Sequence, residues 1–223
     1  PSATRSLLGT DVEPPPMRPV LAAVLAALAV TAVLVGAGVT GAHSVNYVSA
    51  DHLSGMRRLL RRAQSYRTDV RPCYISFTPA EPVASARERA FLEACCAEDI
   101  GCGTADIFRI DSVHEIDTTF VSTIRERYNT VFCFNDFVAV YLYQVLLLAG
   151  VPVPERIGIA GYDDSPVRQL TPQKIDSIVL SPYQLGTVAG EWLHRVVIER
   201  STESLQLRIP GEIVPGDTLG PIR

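Results

Sequence analysis

The chain has 223 residues with 47% hydrophobic and 20% charged side chains, 15 Gly and 16 Pro, which excludes collagen-like, disordered and small disulfide-stapled proteins. Its 20 basic and 24 acidic side chains leave a net charge of −4, so no global field attracts nucleic acid. Five cysteines, Cys73, Cys95, Cys96, Cys102 and Cys133, lie mostly in apolar runs without paired C-x-x-C spacing, pointing to reduced thiols and a cytoplasmic location. A zinc site could draw only on Cys95, Cys96, Cys102 and the distant His114, so no metal or other cofactor is expected.

Short apolar runs at residues 7–10, 31–35, 73–77, 107–110, 130–134, 157–160 and 177–179 read as strands. Helix-period segments separate them, the pattern of βα units and a largely parallel sheet. Residues 20–42 carry no charge and are long enough to cross a bilayer as one helix. Within them, however, residues 17–28 run into an Ala/Leu-rich helical stretch, whereas Val30, Thr31, Val33 and Val35 are β-branched and end at Gly36, Gly38 and Gly41. A helix followed by a buried strand is expected, without a membrane span. Asp11 and Glu13 before Pro14-Pro15-Pro16 do not fit a secretory signal.

After Ser54, Met56, Leu59, Leu60 and Ala63 recur on one helical face, with Arg57, Arg58, Arg61 and Arg62 opposite. Those arginines read as a solvated face, since no aromatic residues interleave them as a nucleic-acid surface would require. Residues 137–148 are apolar on nearly every face and stop at Gly150, so this helix must be covered on both sides. A homodimer interface through Phe137, Val140, Tyr141, Val145 and Leu148 is the expected cover. A last amphipathic helix, 183–198, carries Leu185, Val188, Trp192 and Val196 on its core face.

Three sites place polar groups at strand ends, where open α/β sheets present a ligand crevice. They are Asn135-Asp136, Tyr162-Asp163-Asp164, and the helix start Ser85-Ala86-Arg87. An amide, carboxylates and a guanidinium suit a polyhydroxylated or anionic small molecule. Catalysis is poorly supported: Asp163 and Asp164 should point to opposite sides, no G-x-S-x-G elbow occurs, and Gly36-Ala37-Gly38-Val39-Thr40-Gly41 lacks the lysine of a phosphate-binding loop. The chain reads as a binding protein, not an enzyme.

The segment Val131-Phe132-Cys133-Phe134-Asn135-Asp136, the run from Gly150-Val151-Pro152 through Arg156-Ile157-Gly158-Ile159-Ala160-Gly161-Tyr162-Asp163-Asp164, and Ser181-Pro182-Tyr183 resemble the effector-binding core of LacI/GalR-type transcriptional repressors. Upstream, Asp51-His52-Leu53-Ser54-Gly55 and Arg87-Glu88-Arg89-Ala90-Phe91 extend the likeness. The resemblance implies an α/β, two-subdomain, type I periplasmic-binding-protein-like core, with parallel sheets flanked by helices and a small-molecule effector between the subdomains. It implies residues 1–69 plus 182–200 in a partial N-terminal subdomain and 70–181 plus 201–223 in a C-terminal one. Arg87, Asn135 and Asp163 match positions that hydrogen-bond the effector, a sugar or nucleoside-like molecule. Ala90 stands where the family usually has glycine, Leu180 where sugar-responsive members are often polar, and the tail lacks the usual basic residue after the final strand.

No helix-turn-helix headpiece is encoded in this stretch, and the first βα units of the family core have no counterpart in it. Operator DNA would therefore be reached through a headpiece outside this sequence. A different class, an extracytoplasmic solute receptor for transport, shares the implied fold, but the unpaired cysteines disfavour it. An aspartate-dependent hydrolase using Asp163 and Asp164 is the weaker alternative.

Overall fold

The computed structural model describes residues 33–35, 46–78 and 82–220. The expected strand at 7–10, the helix at 17–28 and the glycine-rich loop at 36–41 lie outside them. Among the described residues, no helix is long and apolar enough to cross a membrane.

Three strands, β1 (Val33–Val35), β2 (Asn46–Asp51) and β8 (Gln206–Pro210), make one parallel sheet in the order β1-β2-β8. A second parallel sheet combines β3 (Pro72–Phe77), β4 (Ile107–Ile110), β5 (Thr130–Cys133) and β6 (Gly158–Ala160) in the order β4-β3-β5-β6. The helices are α1 (His52–Tyr66), α2 (Pro82–Ala97), α3 (Thr118–Arg127), α4 (Asp136–Leu148) and α5 (Pro182–Val197). A short antiparallel pair, β7 (Ser177–Val179) with β9 (Glu212–Val214), lies beyond β6, joined to it by a bridge between Ala160 and Asp176.

The second sheet is covered on both faces, which explains why its strands are predominantly apolar, with Arg109 of the edge strand β4 as the charged exception. Alternation along β3 sends Cys73 and Ile75 to one side and Tyr74 to the other. The first side joins Val131, Cys133 and Ile159 to Val121 and Ile124 of α3 and Val138, Leu142 and Leu146 of α4. The second joins Phe132 and Ala160 to Met56, Leu59 and Leu60 of α1 and Phe91 and Ala94 of α2. In the first sheet, Val48 packs on Leu185 and Ala189 of α5.

The packing moves two expected subdomain boundaries. Residues 52–66 were expected with the first sheet, but α1 packs on the second, so the chain changes sheets at Asp51. No Pro- or Gly-rich linker marks the crossing: Asp51 ends β2 and also caps α1, its carboxylate accepting from the Ser54 amide at 3.1 Å. The tail divides as well, because β8 pairs with β2 in the first sheet and only β9 onward returns to the second.

The arginines of α1 are not a plain solvated face. Arg57 and Arg61 both donate to Glu98, at 2.7 and 3.0 Å, tying α1 to the end of α2. Arg62 donates to the fully buried Asp176 at 2.5 Å and to the Gly216 carbonyl at 2.7 Å, while Arg58 remains exposed. Asp176 also accepts from the amides of Gly216 and Leu219, at 2.9 and 2.8 Å, so it anchors the C-terminal tail beneath the sheet. Removing the guanidinium would leave a buried carboxylate without its counter-charge. Arg62→Met is expected to lower unfolding free energy in urea by about 3 kcal/mol, against less than about 0.5 kcal/mol for Arg58→Ala.

Candidate functional site

At the carboxyl ends of β5 and β6 the following loops meet the second turn of α2. Arg87, in the second turn of α2, is only 6% exposed. Its guanidinium donates to the Phe134 carbonyl and to Asp163 Oδ1, both at 2.6 Å. The same group lies 4.0 Å from the Tyr162 ring centroid and 4.8 Å from that of Phe134. Phe134 in turn meets Phe77 edge-on, with centroids 5.5 Å apart. Both phenyl rings are half-buried, so they offer an apolar wall beside the ion pair.

Asp163 occupies φ 94 and Asp164 φ 50, backbone settings that cost a side-chain-bearing residue about 1–3 kcal/mol. The turn they form sends the two carboxylates to different partners. Asp163 goes to Arg87, and Asp164 to the buried Arg168 at 3.0 Å. Arg168 also donates to the carbonyls of Ile175 and Val214, at 2.8 and 2.7 Å, which holds the loop in place. The carboxylates are therefore split between two arginines, not placed as a paired acid and base.

Asn135 follows Phe134 and caps α4, its side-chain oxygen accepting from the Val138 amide at 3.0 Å. That leaves its amide NH2 as a donor. Thus the structure brings Arg87 and Asp163 into direct contact and sets Asn135 one residue beyond the carbonyl that Arg87 grips. Asp136 turns inward, accepting from Ser177 Oγ and the Ser165 amide, both at 2.6 Å. Gly161 is required by this arrangement, since a Cβ there would lie 2.2 Å from Asp136 Oδ1.

Several residues at the site had no signal in the sequence. Tyr74 OH, Ser76 Oγ and Arg87 Nε are buried without a hydrogen-bond partner among the described residues. Tyr74 and Ser76 alternate onto the same face of β3, the face that α2 covers. His52, first residue of α1, meets Tyr162 OH through Nδ1 at 2.6 Å. Beside it a cavity of about 90 Å³ opens between β2, β8 and α2, lined by Asp51, His52, Arg89, Glu93 and Arg208. Among the described residues, no cluster of His, Cys, Asp or Glu is placed to hold a metal ion.

The expected interface helix needs correction. Val140 and Val145 are buried in the core of their own chain. The outward stripe is Phe137, Tyr141 and Leu148, with Leu147, which the sequence pattern did not single out. Phe137, Leu147 and Leu148 are 55%, 61% and 82% exposed.

Two titrating groups flank the site with opposite senses. Burial, then the Arg87 charge, lowers the His52 pKa to about 4, whereas burial raises that of Asp136 to about 6 against its two hydrogen bonds. Folding therefore releases a proton from His52 between about pH 4 and 6.5, which makes stability rise with pH. It takes up a proton on Asp136 between about pH 3.8 and 6, which makes stability fall with pH. The two contributions oppose each other across pH 4–6. Urea unfolding at a series of pH values is expected to show the wild-type advantage over His52→Gln growing from pH 4 to 6.5. The wild-type advantage over Asp136→Asn should shrink from pH 4 to 6. Each slope is at most about 1.4 kcal/mol per pH unit.

Comparison with known proteins agrees with this architecture. The family model described as "Periplasmic binding protein-like domain" matches residues 68–219, more than half of the chain. The arabinose metabolism transcriptional repressor of Geobacillus stearothermophilus is 30% identical over 92 residues, covering 41% of this chain and 25% of the repressor. The chain's matches span from 25% to 34% of the length of such curated relatives. Among solved structures, transcription regulator CcpA of Lactococcus lactis superposes with a TM-score of 0.68 at 22% identity, over 91% of this chain and 74% of CcpA. A transcriptional regulator CelR–cellobiose complex superposes with a TM-score of 0.65 at 20% identity, over 78% of this chain and 54% of that one. Two parallel sheets with flanking helices and a family match across most of the described residues lead to one assignment: the chain belongs to the periplasmic binding protein-like family.

Proposed function

We propose that this chain is the effector-sensing and dimerisation core of a transcriptional regulator, and that it binds an uncharged polyhydroxylated molecule, a sugar or nucleoside, at the carboxyl ends of the second sheet. One observation carries the reading: the Arg87 fork, held between the Phe134 carbonyl and Asp163. Because the guanidinium is already neutralised by a carboxylate, the site gains little from a charged ligand. It offers instead adjacent donors and acceptors, the pattern that vicinal hydroxyls match. The Phe77 and Phe134 rings supply apolar faces for the C–H side of a ring-shaped solute. The relative named for arabinose metabolism and the neighbour in complex with cellobiose fit a sugar best.

The signal would pass through closure of the first sheet over the second. The crossing at Asp51–His52 puts the first residue of α1 on Tyr162, one residue before Asp163, so a solute bound at Asp163 is coupled to the strand that leads into the other sheet. DNA would be read by a headpiece outside this sequence, in a cytoplasmic homodimer. The five cysteines are free thiols, in keeping with that location.

Calorimetric titration of the chain with pentoses, hexoses, disaccharides and nucleosides tests the site. Loss of a charge-assisted hydrogen bond costs about 1.5–3 kcal/mol, so Asp163→Asn and Arg87→Lys are expected to weaken binding by about tenfold to a hundredfold. Arg58→Ala should bind normally. The assignment fails if both site variants bind as wild type does, or if no member of the panel binds. Sedimentation equilibrium tests the interface: Leu148→Glu is expected to shift a wild-type dimer to monomer, and a wild type that stays monomeric at high micromolar concentration would remove the dimer.

A further inference from the structure

At the end of α2 the chain reverses direction tightly. The amides of Glu98 and Ile100 both return to the Cys95 carbonyl, at 3.2 and 2.8 Å, with Asp99 between them at φ 54. This reversal lays Gly101-Cys102-Gly103 back against the last turn of the helix. The Cys102 sulfur lies 3.8 Å from the Pro72 carbonyl, at the start of β3. Cys95 is fully buried, Cys102 is half-buried, and both pack into the cluster formed with Phe91 and Tyr74. The reversal thus returns Cys102 to the same apolar cluster that holds Cys95 on the helix. A Cβ on Gly101 or Gly103 would meet nothing within 4 Å, so the loop carrying Cys102 has room to adjust.

We propose that Cys95 and Cys102 are a modification site, a dithiol that a hydroperoxide oxidises to an intrachain disulfide. Cys102 is the attacking sulfur because it is the more accessible member of the pair, half-buried where Cys95 is fully buried. Donation from Cys95 also holds the Cys102 pKa below the usual thiol range, while the same hydrogen bond and burial push Cys95 up. The Cys102 thiolate attacks the terminal peroxide oxygen, the O–O bond breaks, and the departing alkoxide takes up a proton to leave as an alcohol. The Cys102 sulfenic acid is then attacked by Cys95, whose proton leaves with the displaced hydroxide as water. Two thiols lose two electrons and two protons, and the hydroperoxide is reduced to alcohol and water.

The remaining thiols act as internal controls. Cys73 and Cys133 are enclosed in the core on the opposite face of the sheet, and burial raises the pKa of both. Cys96, next in sequence to Cys95, is exposed and faces solvent. If exposure alone governed oxidation, Cys96 would react first. The pair predicts otherwise.

The test treats the full chain with one equivalent of hydrogen peroxide, blocks residual thiols by alkylation, and maps peptides without reduction. The expected product is a Cys95–Cys102 cross-link, formed at the same rate in Cys96→Ser. In Cys95→Ser the sulfenic acid should persist on Cys102 and be captured by a cyclic 1,3-dione, and Cys102→Ser should slow loss of the Cys95 thiol at least tenfold. The proposal is overturned if Cys96 is consumed while Cys95 and Cys102 remain fully alkylatable, or if the only disulfides join two chains. Both decisive readouts come from the wild-type chain, so a destabilised serine variant does not leave the question open.

Discussion

The structure depends on how a buried guanidinium is satisfied. Arg87 lies inside the protein between two aromatic rings, where an unpaired charge would be costly, and it is held there by a carbonyl from the end of β5 and a carboxylate from the loop after β6. Its planar fork is what allows one side chain to join three elements at fixed angles, which a lysine would not do. The positive φ of Asp163 is part of the same arrangement. The turn is held in an uncommon conformation because that conformation brings a carboxylate to the fork.

The same device recurs away from the strand-end site. Arg62 clamps the C-terminal tail through Asp176 and two carbonyls, and Arg168 ties its own loop to Ile175, Val214 and Pro215. Arg67 donates to the Asn129 carbonyl at 2.6 Å and to that of Pro154, which fixes the loops leading into β5 and β6. Irregular segments carry backbone carbonyls that no strand or helix satisfies, and an arginine can serve two or three of them at once. What distinguishes Arg87 is its place at the carboxyl end of the sheet, with a half-exposed carboxylate and two half-buried rings at its side. The other three donate to carbonyls and carboxylates that hold loops and the tail.

Much of the second sheet could be read from the sequence, because strands covered on both faces must be largely apolar. The runs at 73–77, 107–110 and 130–134 became β3, β4 and β5 with at most one residue of difference at an end. The strand-end positions of Arg87, Asn135 and Asp163 followed from the same reading. Periodicity could not show what each polar group would touch. It gave Asn135 and Asp136 as equivalent neighbours, yet one caps a helix and the other turns into the core toward Ser177. The arginines of α1 read as a solvated face, although Glu98 and Asp176, which bind three of them, are distant in sequence. The change of sheet at Asp51 was hidden because a single residue ends one element and caps the next. On α4, uniform apolarity erased the contrast that normally tells a core face from an exposed one, so Val140 and Val145 could not be separated from Phe137 and Leu148.

Helix α2 connects the two chemically distinctive places in the protein. Arg87 and Cys95 lie eight residues apart on it, about 12 Å along the axis at 1.5 Å per residue. Between them Phe91 stacks on Tyr74 with ring centroids 5.4 Å apart, and Glu88 is bound by Arg109 of β4 through two hydrogen bonds, at 3.0 and 2.6 Å. A helix fixed at these points moves as a rigid body, so its position on the sheet is one variable shared by both ends. At the carboxyl edge of the sheet that variable sets where the guanidinium meets Phe134 and Asp163. At the opposite edge it sets how closely Cys95 approaches Cys102 and the start of β3. A group that bound one end more tightly in one helix position would bias the other end by the same free energy, so α2 is the element through which the proposed effector and the proposed disulfide would be coupled.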